Sequence, residues 1–325
     1  MNKNALRADL LLLLTAGIWG LGFVAQRSGL EYVGPFTFNG IRFILGSLFL
    51  LPLILIKKFF PKNNFKNFLP GCLVAGCCVF AGVILQQIGI MFTTAGKAGF
   101  ITGLYVVLTP IFGIFLGRKT GKATWAGSVF TLAGLYFLCV AGNSGSINPG
   151  DIIVMASAVF WAFHVLLIDR LVQGKGFEPV SLAAGQFAIC GVLALAGAFL
   201  VEPHILPLAV RINPALPEMG LLAWLPLPEL LGGLASNTVS FPVEALIPIL
   251  YGGLCSVGIA YTLQVVAQRD APPAHATIIL CFEGCFAALG GALLLSEPLG
   301  GLTLLGFFMM LTGMLVTQWE IVVKK

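Results

Sequence analysis

Residues 69–91 read LPGCLVAGCCVFAGVILQQIGIM, a stretch without a single charged side chain. A helix rising 1.5 Å per residue needs about 20 apolar residues to cross a hydrocarbon core of about 30 Å. This stretch is long enough to span a bilayer. Working outward along the chain, nine further segments meet the same requirement, at 8–26, 36–56, 98–117, 123–141, 151–170, 180–201, 245–267, 274–294 and 299–320. The expectation is an all-α membrane protein of ten transmembrane helices.

Composition agrees. Of 325 residues, 58% are hydrophobic and 10% charged, with a mean hydropathy of +0.99. A soluble domain carries roughly 25% charged residues, and no water-soluble fold covers so much apolar surface. Forty glycines suit close helix approach in lipid, where no hydrophobic force drives helices together. The pairs Gly99 with Gly103 and Gly113 with Gly117 have the four-residue spacing of such contacts and are read as generic packing.

The net charge of +5 is scattered among short loops rather than gathered into the basic stripe of a nucleic-acid binder. It reads as topology. With ten spans and both termini cytoplasmic, the inner side holds Lys3, Arg7, Lys57, Lys58, Lys62, Lys66, Arg118, Lys119, Lys122, Arg170, Lys175, Arg269, Lys324 and Lys325. The outer side holds Arg27, Lys97 and Arg211, an asymmetry that a miscounted early helix would scramble. The first segment is read as a retained helix rather than a cleaved signal. The placement is a multi-pass cell-membrane protein of bacterial inner-membrane type.

All eight cysteines lie inside apolar runs, none in a Cys-x-x-Cys pair, so they read as small hydrophobes with neither a disulfide framework nor a metal site. No cofactor is expected. One connection is long. Residues 202–244 hold seven prolines, including Pro207 and Pro214, too dense for a spanning helix. The reading is an extracytoplasmic loop resting on the membrane interface, with Trp224 as its anchor.

The chain is weakly self-similar. Trp19, closing Ala16-Gly17-Ile18-Trp19, corresponds to Trp161, closing Ala158-Val159-Phe160-Trp161. The next helix starts at Pro35 or Pro179, and seven residues later stand Arg42 and Gln186. Gly127 and Gly134 are matched by Gly306 and Gly313. Five helices per repeat is an odd number, so the repeats, 1–142 and 150–323, must be inserted in opposite orientations. That is the inverted-repeat plan of secondary transporters, with binding at the interface of the halves near the midplane.

At this point the sequence resembles the drug/metabolite transporter superfamily, in particular its EamA-type ten-helix transporters. The residues that carry the likeness are Ile18-Trp19-Gly20, Arg42-Phe43, the run from Thr93 through Gly99-Phe100-Ile101-Thr102 and Tyr105 to Thr109-Pro110, Phe160 to His164, Phe282-Glu283 and Ser296-Glu297-Pro298. The chain departs from the family pattern at Glu283-Gly284, where Glu-Pro is usual, and in its long loop. The resemblance implies a transporter of small organic solutes such as amino acids, metabolites or drugs, with export the expected direction.

Only Arg42 and Glu283 put charge well inside the spans. A charge at helix centre costs about 2.5–3.5 kcal/mol on insertion scales and needs a partner or a watery cavity. Arg42 suits a substrate carboxylate by bidentate hydrogen bonds or a structural role on helix-terminal carbonyls. Glu283, near mid-depth, suits proton coupling or a hydrogen-bonded structural role, with Arg42 a candidate partner. Trp19, Gln86, Gln87, Tyr105, Trp161, His164 and Gln186 complete the candidate cavity with hydrogen bonds and aromatic faces. Partners are thus a small-molecule substrate and the bilayer, with no nucleic acid; homodimerisation is left open.

Two other classes compete. An enzyme would need paired acids, a Ser-His or Cys-His set or a metal cluster, whereas Asp9, Asp151, Asp169 and Asp270 stand at helix ends and the three histidines are scattered. No catalytic residue is assigned. A channel or facilitative uniporter is the nearer alternative, although a channel favours a symmetric pore lined by carbonyl or charge rings. A primary pump would need a P-loop, and the sequence has none.

Overall fold

The computed structural model describes residues 3–59, 65–139, 148–174, 177–212, 243–296 and 302–323, and every regular element among them is helical. Eight helices are long and apolar enough to cross a membrane, over Asn4–Gly29, Pro35–Lys57, Lys66–Ile90, Ala95–Phe115, Pro149–Gln173, Pro179–Leu200, Val243–Ala267 and Pro273–Leu294. The segments read at 123–141 and 299–320 are helices as well, Lys122–Cys139 and Thr303–Val323.

In chain order the helices are α1 (Lys3–Gly29), α2 (Pro35–Lys57), α3 (Phe65–Ile90), α4 (Ala95–Thr102), α5 (Tyr105–Phe115), α6 (Lys122–Cys139), α7 (Pro149–Asp169), α8 (Pro179–Leu200) and α9 (Glu202–Ile212). After residue 242 come α10 (Leu246–Leu250), a π-helical stretch (Tyr251–Tyr261), α11 (Thr262–Ala267), α12 (Pro273–Leu280), α13 (Phe282–Leu294) and α14 (Thr303–Val323). Local chemistry sets the starts. Pro35, Pro149, Pro179 and Pro273 open their helices, where a missing N–H leaves no bond unmade. Asn148 and Asp151 form a reciprocal capping box on α7, and Thr94 caps α4 by accepting from the Lys97 N–H. Helix α2 stops where Lys58 turns left-handed, at φ 52°.

Two expected continuous spans are broken. The segment read as 98–117 starts at Ala95 and breaks at Gly103 and Leu104, and 274–294 breaks at Cys281. At both breaks the backbone bonds tighten to three-residue spacing, as in Leu104 N–H to Ile101 O and Gly284 N–H to Cys281 O. One bond joins the two breaks. The Cys281 thiol donates to the Gly103 carbonyl at 3.4 Å, and irregular backbone survives at membrane depth because it is buried in protein. The span read as 245–267 also differs, being π-helical over Tyr251–Tyr261, a form that recurs at functional sites.

Helices pack by close approach rather than by side-chain bulk. A Cβ on Gly20 of α1 would lie 2.8 Å from the Glu283 carbonyl on α13, so the two backbones meet almost in contact. Helices α6 and α14 run antiparallel through a reciprocal pair: Gly134 lies against the Gly306 carbonyl and Gly313 against the Gly127 carbonyl. Helices α2 and α8 also run antiparallel, with the Ser47 hydroxyl donating to the Ala184 carbonyl at 3.0 Å. Exposed Leu48, Leu55, Phe115, Leu293 and Phe308 form part of an outward apolar surface.

The long connection also differs from its reading. Its first part is the helix α9, with Pro207 inside it. Eleven residues reach only about 16 Å, so α9 does not span a bilayer. Residues 213–242, Trp224 among them, lie outside the described residues.

Candidate functional site

The breaks in the α4–α5 and α12–α13 segments place the first residue of α5 against the second of α13. The Tyr105 hydroxyl donates to Glu283 Oε1 at 3.1 Å, with both side chains buried. This pair closes one wall of a cavity lined by helices from both ends of the chain. Trp19, Phe23 and Gln26 of α1, Arg42 of α2, Gln86 of α3 and Thr102 of α4 contribute to it. Trp161, His164 and Val165 of α7, Ser256 and Tyr261 of the π-helical stretch, Gln264 of α11 and Leu280 of α12 complete the lining.

Arg42 is 2% exposed. Its Nε donates to Asn39 Oδ1 at 2.9 Å, and Asn39 is itself held by the Pro35 carbonyl. Its guanidinium carbon stands 5.3 Å from the Phe38 ring centroid and 5.2 Å from that of Phe43. The expected alternatives for its partner, Glu283 or helix-terminal carbonyls, are not what the fold provides. Ion pairs among the described residues join Lys97 to Asp151 and Arg118 to Asp169, His275 contacts Asp9, and none of these includes Arg42. A guanidinium has five N–H donors, and here Nε alone has a protein acceptor among the described residues.

Aromatic rings gather around Tyr261. Tyr261 lies 4.5 Å from Trp19, 5.9 Å from Trp161 and 5.9 Å from Phe43, centroid to centroid. Trp19 Nε1 donates to the Ser256 carbonyl, and Gln86 Nε2 to Thr102 Oγ1. Three buried polar atoms of lining residues, Gln26 Oε1, Gln264 Oε1 and Trp161 Nε1, have no hydrogen-bond partner among the described residues. Buried polar atoms in folded proteins are nearly always paired, and these three are exceptions among the described residues.

Seven candidates from sequence, Trp19, Arg42, Gln86, Tyr105, Trp161, His164 and Glu283, line this one cavity. Gln186 stands behind it, 3.0 Å from His164 Nε2, and Gln87 turns away to donate to the Gln26 carbonyl. Sequence reasoning passed over Gln26, Ser256, Tyr261 and Gln264. Gln264 had a signal: it precedes His275 by the interval that separates Gln86 from Lys97. Tyr261 and Ser256 had none, because a Tyr or Ser in an apolar run carries no mark of the face it presents.

Charged residues close both ends of the bundle. At one end Lys97 of α4 pairs with Asp151 of α7 at 2.5 Å, and the Thr93 hydroxyl also donates to Asp151. At the other, His275 of α12 meets Asp9 of α1 at 2.8 Å. Lys97 and His275 are each the third residue of their helix, and Asp9 and Asp151 each lie ten residues before the matched Trp19 and Trp161. Arg118 pairs with Asp169 at the second end, where Gln173 bonds both Asp169 and the Gln268 carbonyl. Arg42 and Glu283 are thus not the only buried charges. Asp151 and Asp169 are buried at helix ends, and Glu202, expected in a loop, is 0% exposed. The Glu202 carboxylate accepts from Phe36 N at 2.7 Å, Thr37 N at 3.0 Å and the Thr37 hydroxyl at 2.6 Å. Burial pushes its pKa above the ordinary carboxylate range, against the opposing pull of those hydrogen bonds.

Among the described residues no three His, Cys, Asp or Glu side chains converge to hold a metal, and Cys72, Cys77, Cys78, Cys190, Cys255, Cys281 and Cys285 are free thiols. The family model described as the EamA-like transporter family matches residues 6–140 and again 148–319. An uncharacterized transporter of Archaeoglobus fulgidus is 29% identical over 320 residues, covering 97% of this chain and 87% of that protein. The uncharacterized inner membrane transporter YedA of Escherichia coli K12 is 24% identical, over 61% of this chain and 73% of its own length. The uncharacterized transporter YoaV of Bacillus subtilis is 21% identical over 93% of both. A solved crystal structure superposes with a TM-score of 0.72 at 16% identity, covering 96% of each chain, and shares the fold.

Proposed function

Because the chain belongs to the EamA-like transporter family and is a multi-pass membrane transporter, we propose that it is a secondary exporter of a small organic metabolite bearing a carboxylate. The observation that carries this reading is the cavity, where a buried guanidinium has no carboxylate partner among the described residues and faces aromatic rings. A buried cation at this depth is favourable when its charge is matched by an anion. A substrate carboxylate supplies that anion and engages the guanidinium through two parallel hydrogen bonds. The rings of Trp19, Trp161 and Tyr261 cover its apolar body, and the unpartnered atoms of Gln26, Gln264 and Trp161 read its polar groups.

The cavity has free space of about 40 Å³, room for about three water molecules and too little for a metabolite. Transport therefore requires it to widen and to open toward each side in turn. In this reading the protein has ten spans in two inverted five-helix repeats, with both termini cytoplasmic, and its halves rock about the crossing of α4–α5 and α12–α13. The matched Lys97–Asp151 and His275–Asp9 pairs at opposite ends support it, as contacts that break alternately. Glu283 is the proton-coupling candidate, held by Tyr105.

Purified protein in liposomes, screened by counterflow against carboxylate-bearing metabolites, tests the proposal. Arg42→Gln should abolish counterflow of a carboxylate substrate while leaving the unfolding temperature in detergent close to wild type. Counterflow that survives this change removes the carboxylate reading, and an ohmic current through wild type removes the carrier in favour of a channel.

A further inference from the structure

Asn39 precedes Arg42 by three residues on α2, a spacing that puts both side chains on one face of the helix. It is fully buried. Its Nδ2 donates to the Pro35 carbonyl at 2.8 Å, which turns Oδ1 toward Arg42 Nε. Two further contacts hold Arg42. The rings of Phe38 and Phe43 flank the guanidinium, and its stem runs against Gly252 of the π-helical stretch, where a Cβ would come within 3.2 Å of Arg42 Cδ. The side chain is thus fixed through its stem and Nε rather than through its terminal nitrogens.

Those nitrogens, Nη1 and Nη2, donate to no acceptor among the described residues. Neither belongs to the buried unpartnered atoms of the described chain, a set that does include Gln26 Oε1 and Trp161 Nε1. Unpaired yet not sealed in, they border the free space of the cavity that Arg42 lines. A guanidinium offers a carboxylate two forks, one along Nε and an Nη, the other along the two Nη atoms. Asn39 occupies the first and leaves the second. The two buried glutamates are engaged elsewhere: Glu283 accepts from Tyr105, and Glu202 accepts from Phe36 and Thr37 at the start of the same helix.

Neutrality is what sets Asn39 apart. An aspartate has nearly the same shape, accepts from the same Nε and would also match the buried charge, as buried ion pairs do. An amide supplies the hydrogen bond without the charge. We propose that Asn39 is a specificity-determining residue: it positions Arg42 while leaving the guanidinium's charge unmatched, and so makes the cavity select a carboxylate. The role presupposes that Arg42 is the substrate's carboxylate site. With an aspartate at this position the substrate would meet a neutralised pair and a fixed like charge beside its own carboxylate, which disfavours binding.

The test uses the full chain in liposomes. Counterflow is scored for a panel of monocarboxylates from acetate to phenylacetate and for the common amino acids. Each carboxylate that exchanges is then set against its own carboxamide, which has similar size without the charge. Preference is the carboxamide concentration that halves counterflow divided by the carboxylate concentration that does so. Wild type should prefer the carboxylate, and Asn39→Asp should lower that preference by about tenfold or more while the carboxamide keeps its potency. A merely structural defect would weaken both compounds alike. Asn39→Ala removes the hold and adds no charge. It should raise the half-saturating carboxylate concentration by about threefold or more, because the guanidinium is no longer preorganised, with the preference still on the carboxylate. Thermal unfolding reports whether each variant folds, and either one decides the matter if the other does not. Wild-type preference in Asn39→Asp, or wild-type half-saturation in Asn39→Ala, overturns the role of Asn39; if Arg42→Gln abolishes counterflow in the same assay, the carboxylate site itself stands. Carboxylate counterflow that survives Arg42→Gln, or a panel in which wild type exchanges no carboxylate, removes the site and the role together.

Discussion

Replacing Glu202 with alanine removes three acceptor contacts at once from the start of α2: the N–H groups of Phe36 and Thr37 and the Thr37 hydroxyl. The first N–H groups of a helix have no partner within it, and these two are buried beneath α9. Each buried donor left without an acceptor costs about 1–3 kcal/mol. With some relaxation and water entry, Glu202→Ala should destabilise the protein by about 3–5 kcal/mol. Glutamine should behave differently. Its Oε1 can accept from both N–H groups while its Nε2 donates to the Thr37 hydroxyl, so Glu202→Gln should stay within about 1 kcal/mol of wild type near neutral pH. The two variants also differ in pH dependence. Burial raises the pKa of Glu202 in the fold, so its contribution to stability is fully present below the ordinary glutamate pKa of about 4.3 and declines as pH rises through the raised value. Glutamine has no such slope, and the variant should gain on wild type across that window. Reversible unfolding by SDS in mixed micelles, followed by tryptophan fluorescence at several pH values, measures both effects. If Glu202→Ala unfolds within 1 kcal/mol of wild type, or Glu202→Gln falls as far as alanine, then the carboxylate is not the cap of α2.

Further outcomes follow from the same geometry. Gly134→Leu forces a side chain against the Gly306 carbonyl and Met310 and should cost about 1–3 kcal/mol by overpacking, measured by the same SDS titration. Lys97→Met leaves Asp151 without its ion-pair partner at 2.5 Å, and the double change Lys97→Met with Asp151→Asn should recover part of the lost stability, which a double-mutant cycle reads directly. Glu283→Gln keeps an acceptor for the Tyr105 hydroxyl, so it should retain counterflow and lose uptake driven by an imposed pH gradient. Counterflow and gradient-driven flux surviving together would release Glu283 from the coupling role.

Membrane class and the positions of the apolar helical segments were legible in the sequence because each rests on a local quantity. Twenty-three uncharged residues at 69–91 have to leave water whatever their neighbours do. Pro35 and Pro179 announce helix starts through their own missing N–H. The polar candidates were legible for the same reason, since a Gln, Arg or Glu inside an apolar run is conspicuous.

Tertiary structure decided how those residues are partnered. Arg42 bonds Asn39 rather than Glu283, and Glu283 meets Tyr105 because two helices break opposite one another, the Cys281 thiol at one break reaching the Gly103 carbonyl at the other. Gln87 and Gln186 leave the cavity, although their composition equals that of Gln86. One helical position is about 100° of rotation, and only packing against a neighbour fixes which way it points. Glu202 sat in a proline-rich connection and became a buried cap, because α9 folds back over the start of α2. Such pairings join residues far apart in the chain, so a one-dimensional pattern carries the need for a partner and the fold supplies its identity.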